Sequence, residues 1–451
     1  MFILYTLIFL LICLTILSYY LSDRDILSTP VTLCMAFCGT CCMAVMYADI
    51  WMLNLSDMTA LVVFVGISSY LLGYFIFFYY KNRKFVARKK CFKEEIYVNS
   101  FATYVFVLLE MISVYGSYNY LNEVTSLFLS TDNLIEKVGV FHMVIMDQEI
   151  VEKMSIPSKT RFYSWLEDFC HVGAYIYMYI LAHDYVFSRK IKWYFIPIIL
   201  LYLLNSLLTG GRFDTVATFI SFAIFIYIFN AKNNNWKMGI SLKNFLKYGI
   251  LLIMLLLFFP MSMLFLGRSD MEISLDTIGA VFEEVMYSLA VYVGAEIKLL
   301  DIFVTETYIN VNYDDPLGSH TLIGVYRFIA NTFNINDWKG ISSGDIPYEI
   351  VNGHFLGNVY TMFRAYMTDG GILGVMIFSS IMGAIFAYFY YNVRHKCSDR
   401  IEVNLIVYSW LYYCVPLSFF SNWFYPLIAP SLVRMILSFF ICKILILKRE
   451  I

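Results

Sequence analysis

The sequence predicts an all-α, polytopic integral membrane protein with about 11 transmembrane helices and a large extracytoplasmic loop in its second half. Three observations predict it. Of 451 residues, 60% are hydrophobic and only 15% are charged, with a mean hydropathy of +0.68; a soluble domain lies nearer about 45–50% and about 25%. Apolar stretches recur at the length of about 20 residues that a hydrocarbon core of about 30 Å demands. Lysine and arginine sort into alternate connections between those stretches. Together these exclude an ordinary soluble enzyme, a disordered chain and a nucleic-acid binder. The 32 Lys and Arg against 34 Asp and Glu leave no basic excess for a polyanion.

The first span, 2–21, begins Met1-Phe2-Ile3-Leu4. It has no basic n-region and no small-x-small site, so it is expected to be retained. The second, 26–47, carries Cys34, Cys38, Cys41 and Cys42 at near-helical spacing. Inside a span these suit helix packing better than metal or redox chemistry. Spans 58–80 and 97–119 follow, the latter containing Glu110. Span 162–187 opens with Glu167, Asp168 and His171, a patch that reads either as the wall of a hydrophilic cavity or as an ion pair between helices. Two short stretches, 193–209 and 215–230, meet at Thr209-Gly210-Gly211-Arg212. Spans 248–267, 371–391, 403–424 and 426–447 complete the set.

Between them lie two long outer loops, about 120–161 and 268–370. The second includes an apolar run, 285–304, that carries Glu296, Lys298 and Asp301. Charges of that kind are expensive in lipid, so a surface or half-inserted helix is expected there. No internal repeat or low-complexity tract appears, and one membrane domain over 1–451 is expected.

Sidedness follows from the cations. The segment 81–93 holds seven of them and belongs in the cytoplasm. Alternation then places 21 of the 32 Lys and Arg inside, although the outer loops are longer. The N-terminus is expected outside.

Exceptions to this sorting carry the functional signal. Arg212, Arg268, Arg364 and Arg434 fall at outer ends of spans, and Arg327 lies in the large loop. Each alone is explained by snorkelling or a local ion pair. Several on one face suit an anionic ligand, because guanidinium forks match phosphate oxygens. Gly210 and Gly211, next to Arg212, would allow close backbone approach. His320 and His354 in the large loop could take a proton near neutral pH. No paired-histidine or zinc-type spacing occurs, so neither a metal nor a cofactor is expected.

The run Gly357-Asn358-Val359-Tyr360-Thr361-Met362-Phe363-Arg364 continues through Asp369-Gly370-Gly371-Ile372-Leu373-Gly374. It resembles the oligosaccharide repeat-unit polymerases of bacterial surface polysaccharides, the O-antigen polymerase type. The Gly-Gly-Arg after a mid-chain span and the large outer loop are also similar to that family. The resemblance covers the whole chain in layout and about 20 residues in motif. The related O-antigen ligases carry a His-Asn-like pair in the large loop; here Asn358 holds that place and His354 stands four residues earlier.

The resemblance implies an enzyme that joins undecaprenyl-diphosphate-linked oligosaccharide units at the periplasmic face of the bacterial inner membrane. The partners it implies are that lipid-linked glycan and membrane lipid, with room for a chain-length regulator protein. In that role Arg212 and Arg268 would bind the diphosphate, assisted by Arg364 or Arg327. His354 or His320 would be the base, and Asn358 and Asp369 would orient loop or sugar. Asp369 could instead simply cap the ninth span. Tyr326, Tyr360, Phe363 and Tyr366 are the loop aromatics available to stack on sugars. Two rivals remain: a flippase for the same units, and a metal-dependent lipid-sugar glycosyltransferase using Asp23-Arg24-Asp25.

Overall fold

A computed structural model describes residues 1–82, 95–146, 156–157, 159–210, 212–236, 278–307, 316–335, 338, 348–395 and 401–447. The chain is an all-α, multi-pass membrane protein. Among the described residues six helices are long and apolar enough to cross a membrane: Phe2–Leu21, Thr29–Met46, Asp57–Lys81, Ser100–Thr125, Phe213–Asn233 and Phe363–His395. The sheet content of the described residues is one hairpin, Glu349–Val351 (β1) paired with His354–Gly357 (β2).

The remaining expected spans differ in instructive ways. The 162–187 stretch is one continuous helix, Arg161–Phe187, but Glu167, Asp168 and Asp184 keep its hydropathy low. The 193–209 stretch is a 3-10 turn followed by a short helix, Ile196–Leu208. The 403–424 stretch is helical only over Val403–Tyr412. Pro416 has no N–H to offer Tyr412. The Tyr412 carbonyl therefore accepts from Val415, and 3-10-type turns follow. Chain direction resumes at Pro430, which opens the last helix, Pro430–Ile446. The expected span 248–267 lies outside the described residues. Within the expected loop 268–370, the described residues include the helices Ile278–Ile302 and Ile323–Phe333, the hairpin, and the first residues of the helix Phe363–His395.

In chain order we label the helices α1 (Phe2–Leu21), α2 (Thr29–Met46), α3 (Asp57–Asn82), α4 (Ser100–Thr125), α5 (Leu134–Met146), α6 (Arg161–Phe187) and α7 (Ile196–Leu208). They continue as α8 (Arg212–Asn233), α9 (Ile278–Ile302), α10 (Ile323–Phe333), α11 (Phe363–His395), α12 (Val403–Tyr412) and α13 (Pro430–Ile446). They gather into two compact units: 1–90, 287–397 and 402–432 in the first, and 91–286, 398–401 and 433–451 in the second.

The first unit is organised by α3 against α11. A Cβ on Gly73 would lie 2.1 Å from the Ser380 carbonyl oxygen, and one on Gly383 would lie 2.2 Å from that of Tyr70. The two backbones touch because neither helix has a side chain there, the packing mode membranes favour. Ser380 Oγ also donates to the Ser69 carbonyl at 3.1 Å.

The two ends of this bundle are marked by polar ties. At one end Arg394 pairs with Asp23 at 2.6 Å, and the Tyr390 hydroxyl donates to Asp25. At the other, Asp301 of α9 accepts from the Ser56 amide (2.9 Å) and the Thr59 hydroxyl (2.8 Å), and Asn352 donates to the Ile50 carbonyl at 3.4 Å. The α9 helix is no loose surface element over its 287–302 part: Gly294 abuts Met43 and Ala44 of α2, and Glu296 and Asp301 are buried.

The second unit packs α4 on α6 and α7, with α8 behind α6 and α5 over Leu121 and Val124. Of the two readings of the Glu167-Asp168 patch, Asp168 takes the ion-pair one: Arg434 Nε of α13 lies 2.8 Å away. At the other end of α6, Lys192 pairs with the buried Asp184 at 2.9 Å and with Glu95 at 3.1 Å. Hydrogen bonds from Lys190 and Lys192 hold the Glu95 carboxyl below its ordinary range.

The α3–α11 contact makes a graded prediction. Gly73→Ala forces two backbones apart and should destabilise the detergent-solubilised protein by about 1–3 kcal/mol. Gly39, with nothing within 4 Å of where a Cβ would stand, should accept Ala at no cost. Equal thermal midpoints for the two variants would contradict the packing described.

Candidate functional site

The conspicuous polar constellation of the first unit surrounds the start of α11. Local sequence explains its shape. Gly370 and Gly371 interrupt the helix, and Gly371 takes φ 57°, ψ −147°, a conformation glycine alone adopts freely. Gly374 then lets the continuing helix pass close to the Tyr366 carbonyl, 2.3 Å from where a Cβ would stand. The break coincides with the sequence-based start of the ninth span at 371.

Asp369 sits at this break and is buried. Its carboxylate does not cap the helix that follows. Oδ1 accepts from the His320 amide at 3.0 Å and Oδ2 from the Thr321 amide at 2.6 Å. Both oxygens are therefore committed to holding the 318–322 turn that leads into α10. Asp369 is a positioning residue on this geometry, and the group it positions is the backbone of His320. Asn422 reinforces the same turn: its amide donates to the Thr321 carbonyl at 3.5 Å, and its oxygen accepts from the Tyr366 hydroxyl at 3.5 Å.

Arg364 lies one and a half turns earlier on α11. Its guanidinium carbon is 4.8 Å from the Tyr360 ring centroid and 5.3 Å from that of Phe303. No carboxylate lies within ion-pair distance among the described residues, and its Nε is buried with no hydrogen-bond acceptor. Aromatic faces thus hold the cation in place without neutralising it. Tyr360 in turn donates to Glu349 of β1 at 3.3 Å. Burial, aided by the Glu349 charge, raises the Tyr360 phenol above its ordinary range, so it stays a donor.

The hairpin turns at Asn352-Gly353, both with positive φ, the two-residue pattern that matches strand twist. His354 is exposed on β2, its ring 5.7 Å from that of Tyr287. Asn358 follows the hairpin, half-buried, and Arg327 is half-buried on α10.

The first unit thus contains His320, His354, Asp369, Arg327, Arg364, Asn358 and Tyr360, and ties together His320, Asp369, Arg364 and Tyr360 through one helix start. Gly210 and Arg212 belong to the second unit. Gly210 has φ +75°, and a Cβ there would meet His142 at 2.8 Å; the close approach it permits is to that ring. Arg212 begins α8. Gly211 and Arg268 lie outside the described residues. Of the aromatics considered for sugar stacking, Tyr360, Phe363 and Tyr366 are buried, and Tyr326 faces Trp338 at 5.2 Å.

Sequence reasoning missed Phe303, Thr321 and Asn422. Asn422 had a signal: Ser421-Asn422 is a polar pair between Pro416 and Pro426 inside an otherwise apolar stretch. No protein-family model, no curated protein and no solved structure matches the chain.

Asp369→Asn tests the anchor. Losing charge-assisted acceptance for two buried amides costs about 1–3 kcal/mol locally, or about 5- to 150-fold faster amide exchange. Hydrogen-exchange mass spectrometry should find that increase in the peptide covering 318–322. Unchanged exchange there would remove Asp369 from this role.

Proposed function

We propose that the chain polymerises undecaprenyl-diphosphate-linked oligosaccharide repeat units into a bacterial surface polysaccharide, at the periplasmic face of the inner membrane. The observation that carries the proposal is Arg364: a partly buried guanidinium, clamped by Tyr360 and Phe303, with no acidic partner among the described residues. A cation held that way awaits an anion. The motif that resembles the O-antigen polymerases runs through this residue and through Asp369-Gly370-Gly371.

In this proposal the acceptor hydroxyl attacks the anomeric carbon of the donor glycan. The new glycosidic C–O bond forms as the bond to the lipid diphosphate breaks. Negative charge develops on the departing diphosphate, where arginines stabilise it. Within the first unit Arg364 binds the diphosphate, with Arg327 assisting. His320 or His354 accepts the proton. Of the two, His320 is the better prepared, because Asp369 fixes its backbone. Positive-inside sorting supports the sidedness. The Arg394 end of the first unit meets the Asp23–Asp25 turn, and both are assigned to the cytoplasm; the Asn352 and Asp301 end then faces outward. The count of 11 spans and the extracytoplasmic loop over 268–370 belong to this same proposal.

The metal-dependent alternative loses support from its own residues. Asp23 is paired with Arg394, and Asp25 accepts from Tyr390 and from the Leu27 amide at 3.0 Å. The flippase alternative is separated by phenotype. Deleting the gene should leave single repeat units on the acceptor lipid; complete loss of exported units would indicate the flippase.

Arg364→Ala should reduce chain growth by about 10²- to 10³-fold, read as loss of the polysaccharide ladder on gels at equal membrane protein level. Arg364→Lys should be poor as well, since an ammonium lacks the planar fork. Tyr360→Phe, which keeps the ring face, should retain most activity. Wild-type ladders from Arg364→Ala would sink the assignment.

A further inference from the structure

The second unit contains a polar seam at membrane depth. Glu110 is the eleventh residue of α4, about 15 Å along the axis from its start. It is fully buried, and neither carboxylate oxygen meets a donor among the described residues. Ser113 and Ser117 continue the same face of α4 at i+3 and i+7. Asn205 of α7 donates through Nδ2 to Ser113 Oγ at 3.1 Å and approaches Glu167 Oε1 at 3.5 Å. The carboxylate contact assigns the amide nitrogen to that side. It leaves Asn205 Oδ1 as a second buried acceptor without a donor.

The other charges of the seam are spoken for. Lys159 holds Glu167, which also accepts from Ser117 at 2.7 Å. Arg434 of α13 holds Asp168. Tyr202 of α7 is 2.7 Å from His171 Nδ1. Cys170 of α6 and Tyr202 both lie close enough to feel the Glu110 charge electrostatically, and neither supplies a cation. Asp214 on α8 and Cys442 on α13 add none, and Lys137 of α5 bonds Asn122 at the far end of α4.

A bare carboxylate at this depth costs far more than its helix gains. A single positive charge from outside the chain resolves it. A divalent metal is disfavoured, since no group of three or more His, Cys, Asp or Glu side chains suited to holding one occurs among the described residues. We propose that Glu110 is a proton-binding site at membrane depth in the second unit, with Ser113 and Asn205 as its polar surroundings. This does not rest on the glycan proposal. It assigns the unit an exchangeable proton that glycan transfer itself does not require.

The test is dicyclohexylcarbodiimide labelling of the full-length protein in liposomes, read by peptide mass spectrometry. The reagent adds to protonated carboxyls in apolar surroundings. Glu110 should be modified, with a yield that falls at least tenfold as pH is raised from about 6 to about 9 and that sodium does not change at fixed pH. Glu110→Gln should run as a normal monodisperse peak and lose the modification. No labelling, or labelling independent of pH, would overturn the proposal. Protection by sodium would overturn it in favour of an alkali-cation site. Should Glu110→Gln fail to fold, the peptide-resolved wild-type result still decides.

Discussion

The first unit depends on the direct backbone contact between α3 and α11. Helices in lipid gain little from the hydrophobic effect on meeting, so they associate where small residues let dispersion act at short range. Gly73 and Gly383 supply that approach. Gly66, two helical turns earlier on α3, receives the Phe363 ring, which also lies 5.2 Å from Phe37. Phe363 is the residue before Arg364. The packing that joins two helices therefore also sets where the first turn of α11 begins and where its arginine stands.

From that anchor the polar features follow in order. The glycine break after Asp369 changes the path of α11, and the Asp369 carboxylate spans the gap to the 318–322 turn. Two charge-assisted bonds to backbone amides are a rigid connection. Among the described residues Arg364 is held by ring faces instead of by an acid, which leaves its charge available. The second unit handles charge in the opposite way. There Arg434, Lys159 and Lys192 are each committed to a carboxylate, and Glu110 is a fully buried acid without such a partner among the described residues.

Much of this was legible along the chain. The apolar stretches 2–21, 26–47, 58–80 and 97–119 reappear as helices with boundaries shifted by a few residues, because length and hydropathy are local properties. The helix break at 371 was readable from Asp-Gly-Gly. Other features were not. The 403–424 stretch has the hydropathy of a span, yet Pro416 converts its second half into turns, and Asn422 enters a hydrogen-bond bridge between Thr321 and Tyr366. Outer-end arginines looked alike in sequence. Arg434 proved to be spent on Asp168, whereas Arg364 is stacked on Tyr360 and Phe303 with no acid beside it among the described residues, and Asp168 and Phe303 are far away in sequence from the arginines they hold.

The sequence by itself determined the solvent this protein folds in, the helical class and the short list of charges that defy their surroundings. All three depend on composition and spacing within single segments. Only the tertiary structure decided what each exceptional charge does, because an ion pair, a cation–π clamp and a doubly bonded carboxylate differ in their neighbours and not in their own identity. Asp369 is the clearest case: next to two glycines it reads as a helix cap, and three-dimensional proximity makes it the anchor of a turn 48 residues away.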